Sequence, residues 1–494
     1  MDNIDFILNP ELDLNDQLSF NELNSEESDT KESDTKESDT EESDMQISDE
    51  EIDENIAKMI EINKLHEEKN VSTKINDNSD LQGMSGLINL GNTCYMNSII
   101  QCLINTPGLK DKFCDKNIIK ELFSYIVNKL DEESKNNYSL FLEKCDDTLT
   151  YQLHKLFNLI WRNQIKQIRP INFKKIFLKT MEHFRNFEQE DAQEALLCIL
   201  DTIHIETTSD IHIKYNLFSE EYLTLFEQYE EQQITDIEWC KLEFIHPDIW
   251  ELYTLKKTID RYNSKSYSLI TYFFQNIISS TIQCIECNYH SFNFDPATCV
   301  TVPIPIEYIV DIKQIDDKLS KISNISPEVY NQLKQQLIIR NSYDKEITLE
   351  ECLSKYIKQE LLDDNEKWHC PHCNKKVQTA KRMNIWMPSK IMIIHLKRFD
   401  HYGNKINNKI NFPINGLNVN PFMSEYSTKL GDFIYDLYAV NNHMGSINGG
   451  HYHSFVKSIS NDNWYCINDN NIIKIDETDI ISNNAYILFY KLRQ

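Results

Sequence analysis

Hydrophobic and polar positions divide this 494-residue chain into three regimes. Residues 25–44, SEESDTKESDTKESDTEESD, contain no apolar residue, and the unit ESDTK recurs with a five-residue period. Such a stretch buries nothing to offset the entropy of ordering, so a disordered tail is expected over residues 1–50. Residues 51–68, EIDENIAKMIEINKLHEE, place Ile52, Ile56, Met59 and Ile60 on one helical face, which predicts an amphipathic helix and a linker up to residue 84. From residue 85 to the end the patterning is continuous. Met96, Ile99, Ile100 and Leu103 recur at helical spacing, and helical patterns dominate to about residue 230. After about residue 268 the apolar runs are short and strand-like: TIQCIECN, CVTVPIPI, KIMIIHLKRF, IYDLYAV, HYHSFVK and AYILFYKL. Helices first and strands later predict an α+β fold whose two parts face each other. Two polar, helical stretches, about 205–265 and 306–347, look like insertions.

Charge sharpens the first boundary. Residues 1–50 hold eighteen Asp and Glu against two Lys, so −16 of the net −28 lies in that tail, and the shift near residue 80 marks the start of the folded domain. The remainder is moderately acidic, which argues against a nucleic-acid partner, since that needs a basic footprint. No run of about 18 apolar residues is present, so no membrane span is expected. The first residues, MDNIDFILNP, lack the basic flank and apolar segment of a secretory signal. Thirteen cysteines in such a chain are expected to work in a reducing compartment, cytosol or nucleus, as metal ligands or catalysts rather than as disulfides.

One cysteine stands out. In GLINLGNTCYMNSIIQCL, residues 86–103, the turn residues Gly91 and Asn92 precede Cys94, which falls at the start of a buried helix. Helix N-termini stabilise anions and lower thiol pKa values, and their free N–H groups can face an oxyanion. Asn89 adds a side-chain amide donor. A base is needed from elsewhere. In NNHMGSINGGHYHSFVK, His451 follows Gly449 and Gly450 and enters a strand; the glycines would let a substrate backbone approach. His443 and His453 are close rivals. In NWYCINDNNI the adjacent Asn468 and Asp469 are candidates for a group that orients the imidazole. The chain order Cys, His, Asn/Asp is that of papain-like cysteine proteases.

These two segments resemble the cysteine and histidine boxes of the ubiquitin-specific proteases, a class of deubiquitinating enzymes; the histidine box is YDLYAVNNHMGSINGGHY, residues 435–452. EQEDAQEALLCILD (188–201), FDPATCVTVPIP (294–305), LEECLSKYIKQE (349–360), PSKIMIIHLKRF (388–399) and NNAYILFYKL follow in the family's order, and the similarity spans roughly residues 85–494 apart from the two insertions. The resemblance implies a papain-like core with thumb, palm and fingers. It implies Cys94 as nucleophile, His451 as general base, Asn468 as third member, Asp469 as an assisting neighbour and Asn89 as oxyanion donor. Asp191, Gln193, Glu194, Gly450 and Tyr452 would line the channel for ubiquitin's C-terminal tail, which carries arginines and ends in Gly-Gly. Ubiquitin and ubiquitinated proteins are the expected partners. The competing readings are an inactive ubiquitin-binding scaffold and a protease for another ubiquitin-like modifier.

Cysteine spacing adds a metal. Cys284 with Cys287, and Cys370 with Cys373, form two Cys-x-x-Cys pairs separated by 82 residues, and together they can supply four thiolates to a tetrahedral zinc ion. His369 and His372 flank the second pair as alternative ligands. In the resembled family these pairs match a structural zinc site at the fingertips, with no part in the chemistry. One departure lies just before them: where the family carries Phe-x-Gly, this chain has Asn276 in FFQN.

Overall fold

The computed structural model describes residues 71–74 and 82–493, apart from short stretches, chiefly within 116–142, 182–188, 209–217, 232–245 and 264–266. The acidic tail and the helix expected over 51–68 lie outside the described residues. The chain begins with a short strand, β1 (Val71–Lys74), followed by β2 (Gly86–Leu87), α1 (Cys94–Ile104), α2 (Leu149–Trp161), β3 (Ile165–Ile168) and α3 (Ala192–Glu206). β3 lies between β1 and β2 in a small sheet that anchors the loop leading into α1. β1 falls inside the stretch expected to be linker, and nothing in its four residues, VSTK, marks it as a strand without the partner β3. The stretch 205–265 is helical, as α4 (Glu220–Glu230) and α5 (Pro247–Asn263). LITYFF, which opens the region expected to be strand-rich, is a helical turn over Leu269–Phe274: Ser268 Oγ accepts from the N–H groups of Ile270 and Thr271 at 3.1 and 3.3 Å. A local cap overrides the β propensity of that run.

Strands then dominate. β4 (Asn276–Cys284) and β5 (His290–Ala297) pair with β9 (Thr379–Met387) in one sheet, with Glu360–Leu361 at its edge. Between them come β6 (Val300–Pro303), the helices α6 (Ile312–Leu319) and α7 (Pro327–Ser342) of the second insertion, and a two-stranded ribbon of β7 (Trp368–Cys370) and β8 (Lys375–Val377). The main sheet runs in the order β14 (Asn471–Ile475), β13 (Trp464–Asn468), β12 (Gly449–Lys457), β11 (Ile434–Ser446), β15 (Ala485–Leu492), β10 (Ile391–Lys397) and β6; only β10 and β6 are parallel.

Both faces of that sheet are covered. Ile391, Ile393, Ile487 and Phe489 pack with the helices α1, α2 and α3, whereas Met392, Ile394, Leu488 and Tyr490 pack into a second cluster with α6, α7 and the helix Leu349–Tyr356. A sheet buried on both sides explains why KIMIIHL and AYILFY read as unbroken apolar runs rather than alternating ones. Helices form a thumb, the main sheet a palm, and β4, β5 and β9 the fingers. This is the α+β, papain-like arrangement expected from the sequence.

Candidate active site

α1 is buried along its whole length, all eleven residues, and Cys94 is its first residue. Its polar positions are tied to the frame. Gln101 Nε2 donates to Ser85 O at 2.7 Å, Asn97 Nδ2 to Leu87 O at 3.3 Å, and Asn441 Nδ2 of β11 to Ser98 Oγ at 2.7 Å. Thr106 Oγ1 meets Tyr438 Oη at 2.9 Å just past the helix end. Cys94 is 4% exposed. Burial, and then the charge of Asp469, push its thiol pKa up, against hydrogen bonds from the backbone of Tyr452, Tyr95 and Cys94 itself. The contact with Tyr452 brings the thiol against β12, one residue from His451. A thiol held neutral in this way needs a base to become a nucleophile.

His451 stands on β12, half-buried, and its Nε2 lies 2.6 Å from Asn468 Oδ1 at the end of β13. Only an N–H can meet that carbonyl oxygen, so the bond fixes the proton on Nε2 and leaves Nδ1 as the acceptor. The rivals are placed differently. His443 is buried among Phe399, Tyr452 and Tyr486, and His453 packs on Phe455. Burial pulls both pKa values down to about 4, so both rings are neutral at physiological pH.

Asn89 and Asp469 form one unit. Asn89 Oδ1 accepts from the N–H groups of Gly91 and Thr93, at 3.0 and 3.2 Å, and its Nδ2 donates to Asp469 Oδ2 at 3.0 Å. Asp469 Oδ1 accepts from Asn97 Nδ2 at 2.9 Å, and Asp469 O accepts from Leu87 N at 2.9 Å. Asp469 adopts φ +49°, a left-handed conformation that Asp tolerates better than most residues. The dipeptide Asn468–Asp469 thus orients the imidazole with one side chain and the amide of Asn89 with the next. Asn97 was missed from sequence; its only signal is that it is one of three polar residues, with Ser98 and Gln101, on a largely apolar helix.

Asp191 caps α3, accepting from the N–H groups of Gln193 at 2.6 Å and Glu194 at 3.3 Å, and also accepts from Tyr486 Oη. Tyr452 reaches the same corner, where its hydroxyl takes a hydrogen bond from the backbone of Ala192. Gly450 N donates to Gln189 Oε1, a link from the thumb to β12 that the sequence did not single out. A Cβ on Gly450 would sit 2.3 Å from His443 Nε2 and 2.5 Å from Met444 O, so only glycine fits. Asp191, Gly450 and Tyr452 therefore share one corner where the start of α3 meets β12, while Gln193 and Glu194 enter it through their backbone, with the Glu194 side chain exposed.

The four paired cysteines converge at the far end of the fingers. Their sulfurs all lie within 4.8 Å of one another, with Cys284 to Cys373 at 3.8 Å and Cys287 to Cys370 at 3.6 Å. A tetrahedral ion with bonds of about 2.3 Å needs sulfurs roughly 3.8 Å apart, so the donor set fits zinc. Each pair forms the same knuckle: Asn288 N donates to Cys284 O at 3.0 Å and Asn374 N to Cys370 O at 2.9 Å, with both asparagines at positive φ. Tyr289 stacks on Trp368 and His372, which places His372 in the aromatic cap rather than among the donors. All twelve described cysteines are free thiols, and among the described residues no helix is long and apolar enough to cross a membrane.

A family model described as ubiquitin carboxyl-terminal hydrolase matches residues 85–490. A probable ubiquitin carboxyl-terminal hydrolase of Acanthamoeba polyphaga mimivirus is 28% identical over 477 residues, covering 86% of this chain and 94% of that protein. Ubiquitin carboxyl-terminal hydrolase 2 of Homo sapiens is 27% identical over 416 residues, covering 83% of this chain; the chain spans 55% of that longer protein. Among solved structures, a chain of the SAGA DUB module Ubp8/Sgf11/Sus1/Sgf73 bound to monoubiquitin is similar with a TM-score of 0.53 at 22% identity, covering 90% of this chain and 76% of that one. That likeness is one of fold.

Proposed function

The chain belongs to the ubiquitin carboxyl-terminal hydrolase family of cysteine-type deubiquitinating enzymes, and we propose that Cys94, His451 and Asn468 carry out its hydrolysis of the bond after the C-terminal glycine of ubiquitin. The observation that carries this assignment is the 2.6 Å bond from Asn468 to His451, on the strand whose next residue hydrogen-bonds the Cys94 thiol.

His451 Nδ1 takes the thiol proton, and the thiolate attacks the glycine carbonyl carbon. Asn89 Nδ2, held by Asp469, and the N–H of Cys94 at the start of α1 stabilise the oxyanion. The lysine amine departs with the proton from His451, leaving a thioester that water hydrolyses with His451 again as base. Asn468 fixes the tautomer but carries no charge to balance the imidazolium. The corner of Asp191, Gly450 and Tyr452 receives the ubiquitin tail, with the Asp191 carboxylate suited to its arginines. Cys284, Cys287, Cys370 and Cys373 would hold a structural zinc ion, which would close the fingertip that grips the body of ubiquitin and take no part in the chemistry. Free cysteines support a reducing, intracellular site of action.

The test is reaction of the purified protein with ubiquitin bearing a C-terminal electrophile. A covalent adduct that disappears in Cys94→Ser supports the assignment. Binding without an adduct would make the chain a ubiquitin-binding scaffold, and an adduct only with a probe built on another modifier would redirect its specificity.

A further inference from the structure

The chain passes between the fingers and the rest of the molecule four times: once where the helix Leu349–Tyr356 leads to Glu360–Leu361 at the edge of the finger sheet, and at three further crossings near the root. β4 follows directly on the helix Leu269–Phe274, β5 runs out into β6 at Ala297, and β9 passes through Ser389 into β10. Asn276, where the family pattern carries glycine, touches all three. It is completely buried. Its Nδ2 donates to Phe274 O at 3.2 Å and to Ala297 O at 2.9 Å, and its Oδ1 accepts from Ser389 N and Ser389 Oγ, each at 2.9 Å. Those four bonds use the whole capacity of a primary amide. Ser389 carries the link further: its one hydroxyl proton is shared between Asn276 Oδ1 and Ile391 O, the latter at 2.8 Å, and its carbonyl accepts from Tyr435 Oη of β11 at 2.6 Å.

We propose that Asn276 is a positioning residue that sets the pitch of the finger sheet against the palm, and thereby the fit of the ubiquitin body. This rests on the functional reading above. A buried amide with every bond made resists rotation of the segments it joins, because any change of pitch would leave several polar groups unpaired in an apolar setting. None of the bonds of Asn276 goes to a candidate catalytic residue, so its influence falls on binding of the globular part of the substrate and not on the chemical step.

The experiment compares two substrates: ubiquitin carrying a C-terminal coumarin, and a short peptide of the ubiquitin tail carrying the same coumarin. Asn276→Gly is expected to raise KM for the ubiquitin substrate by about fivefold or more while leaving activity on the tail peptide within about twofold. A loss that a merely weakened fold would cause falls on both substrates alike. Equal loss on both, or no change on either, overturns the proposal. If Asn276→Gly does not fold, Ser389→Ala removes the Oγ contacts to Asn276 Oδ1 and Ile391 O, keeps the bond from Ser389 N, and is expected to show the same split in smaller measure; an unchanged ratio there overturns it equally. A parent protein inactive on both substrates and inert to the ubiquitin electrophile would remove the functional reading and this proposal with it, whereas an active parent with an unaltered variant removes this proposal alone.

Discussion

Replacing Asp469 by Asn should produce two changes of opposite sign in the same active site. The carboxylate accepts from Asn89 Nδ2 at 3.0 Å and from Asn97 Nδ2 at 2.9 Å, one oxygen for each. An amide of the same shape offers one oxygen, so its NH2 must face one of two donors. Asn97 is buried and also bonded to Leu87 O, so the mismatch falls on Asn89, which is exposed. A hydrogen bond to a charged acceptor is worth about 1.5–3 kcal/mol, and losing one oxyanion donor in a hydrolase costs about 100-fold to 1000-fold in kcat. Asn89 is misdirected rather than removed, so a fall in kcat of about tenfold to a hundredfold is expected. The thiol moves the other way. The Asp469 charge is one of the causes that raise the Cys94 pKa, and without it the thiolate forms at lower pH. Hydrolysis of a ubiquitin–coumarin substrate gives kcat, and the pH dependence of iodoacetamide alkylation gives the thiol titration. Slower turnover with an alkylation midpoint displaced to lower pH is the expected pair. Unchanged kcat, or a parallel loss of turnover and alkylation at every pH, refutes the reasoning, since the second would mean a disordered site.

Cys94→Ala should abolish hydrolysis, while Asn468→Ala should lower it less, because an asparagine orients His451 without supplying charge; equal loss in the coumarin assay reverses that ranking. Cys370→Ser, or removal of metal by a chelator, should lower the melting temperature and weaken capture of ubiquitin, yet leave the tail-peptide rate near that of the parent. Gly450→Ala should cost activity and about 2 kcal/mol or more of stability, read by denaturant unfolding, because its Cβ meets backbone as well as His443. His154, His395, His443 and His453 are held neutral with pKa values lowered to about 4 from 6.5 by burial. The unfolded chain therefore binds more protons between those values, so thermal stability should be full above pH 6.5 and fall as the pH drops towards 4. A flat melting temperature across that window excludes the buried imidazoles as its source.

Much of this was legible in the sequence, for identifiable reasons. Most of the short apolar runs after residue 268, KIMIIHL and AYILFY among them, became the palm because a sheet covered on both faces needs no alternation, TIQC went to β4 of the fingers, and the helical spacing of Met96, Ile99, Ile100 and Leu103 became α1. The paired cysteines were readable because a knuckle is a local structure whose spacing is fixed by its own turn. What the sequence hid were relations between distant segments. β1 is a strand only because β3 lies beside it. The choice among His443, His451 and His453 depends on which ring meets Asn468, a contact between two strands. Asp191 was expected in the channel, but nothing in EQEDAQEA shows that one carboxylate serves both the cap of α3 and Tyr486.

The polar residues of α1 show how Cys94, the proposed nucleophile, can be held in place on so buried a helix. An apolar helix held by dispersion alone can slide or rotate by small amounts at little cost, because close packing sets volume more firmly than register. Asn97, Ser98 and Gln101 interrupt the apolar face, and each is bonded to a different part of the frame: Asn97 to the β2 loop and Asp469, Ser98 to Asn441 of β11, and Gln101 to Ser85. A shift of α1 along its axis would break all of these together, each break leaving a buried donor or acceptor unpaired at a cost of about 1–3 kcal/mol. The bond from Asn441 to Ser98 ties the helix of Cys94 to β11, and β11 pairs residue by residue with β12, which carries His451. The separation of sulfur and imidazole is thus set by hydrogen-bonded register rather than by the fit of side chains. On this account Ser98→Ala, which deletes the bond from Asn441 and a bond to Tyr95 O within the helix but little volume, should impair turnover more than a conservative apolar change such as Ile99→Val, even where the two cost equal stability; the opposite order would show that packing, not register, places Cys94.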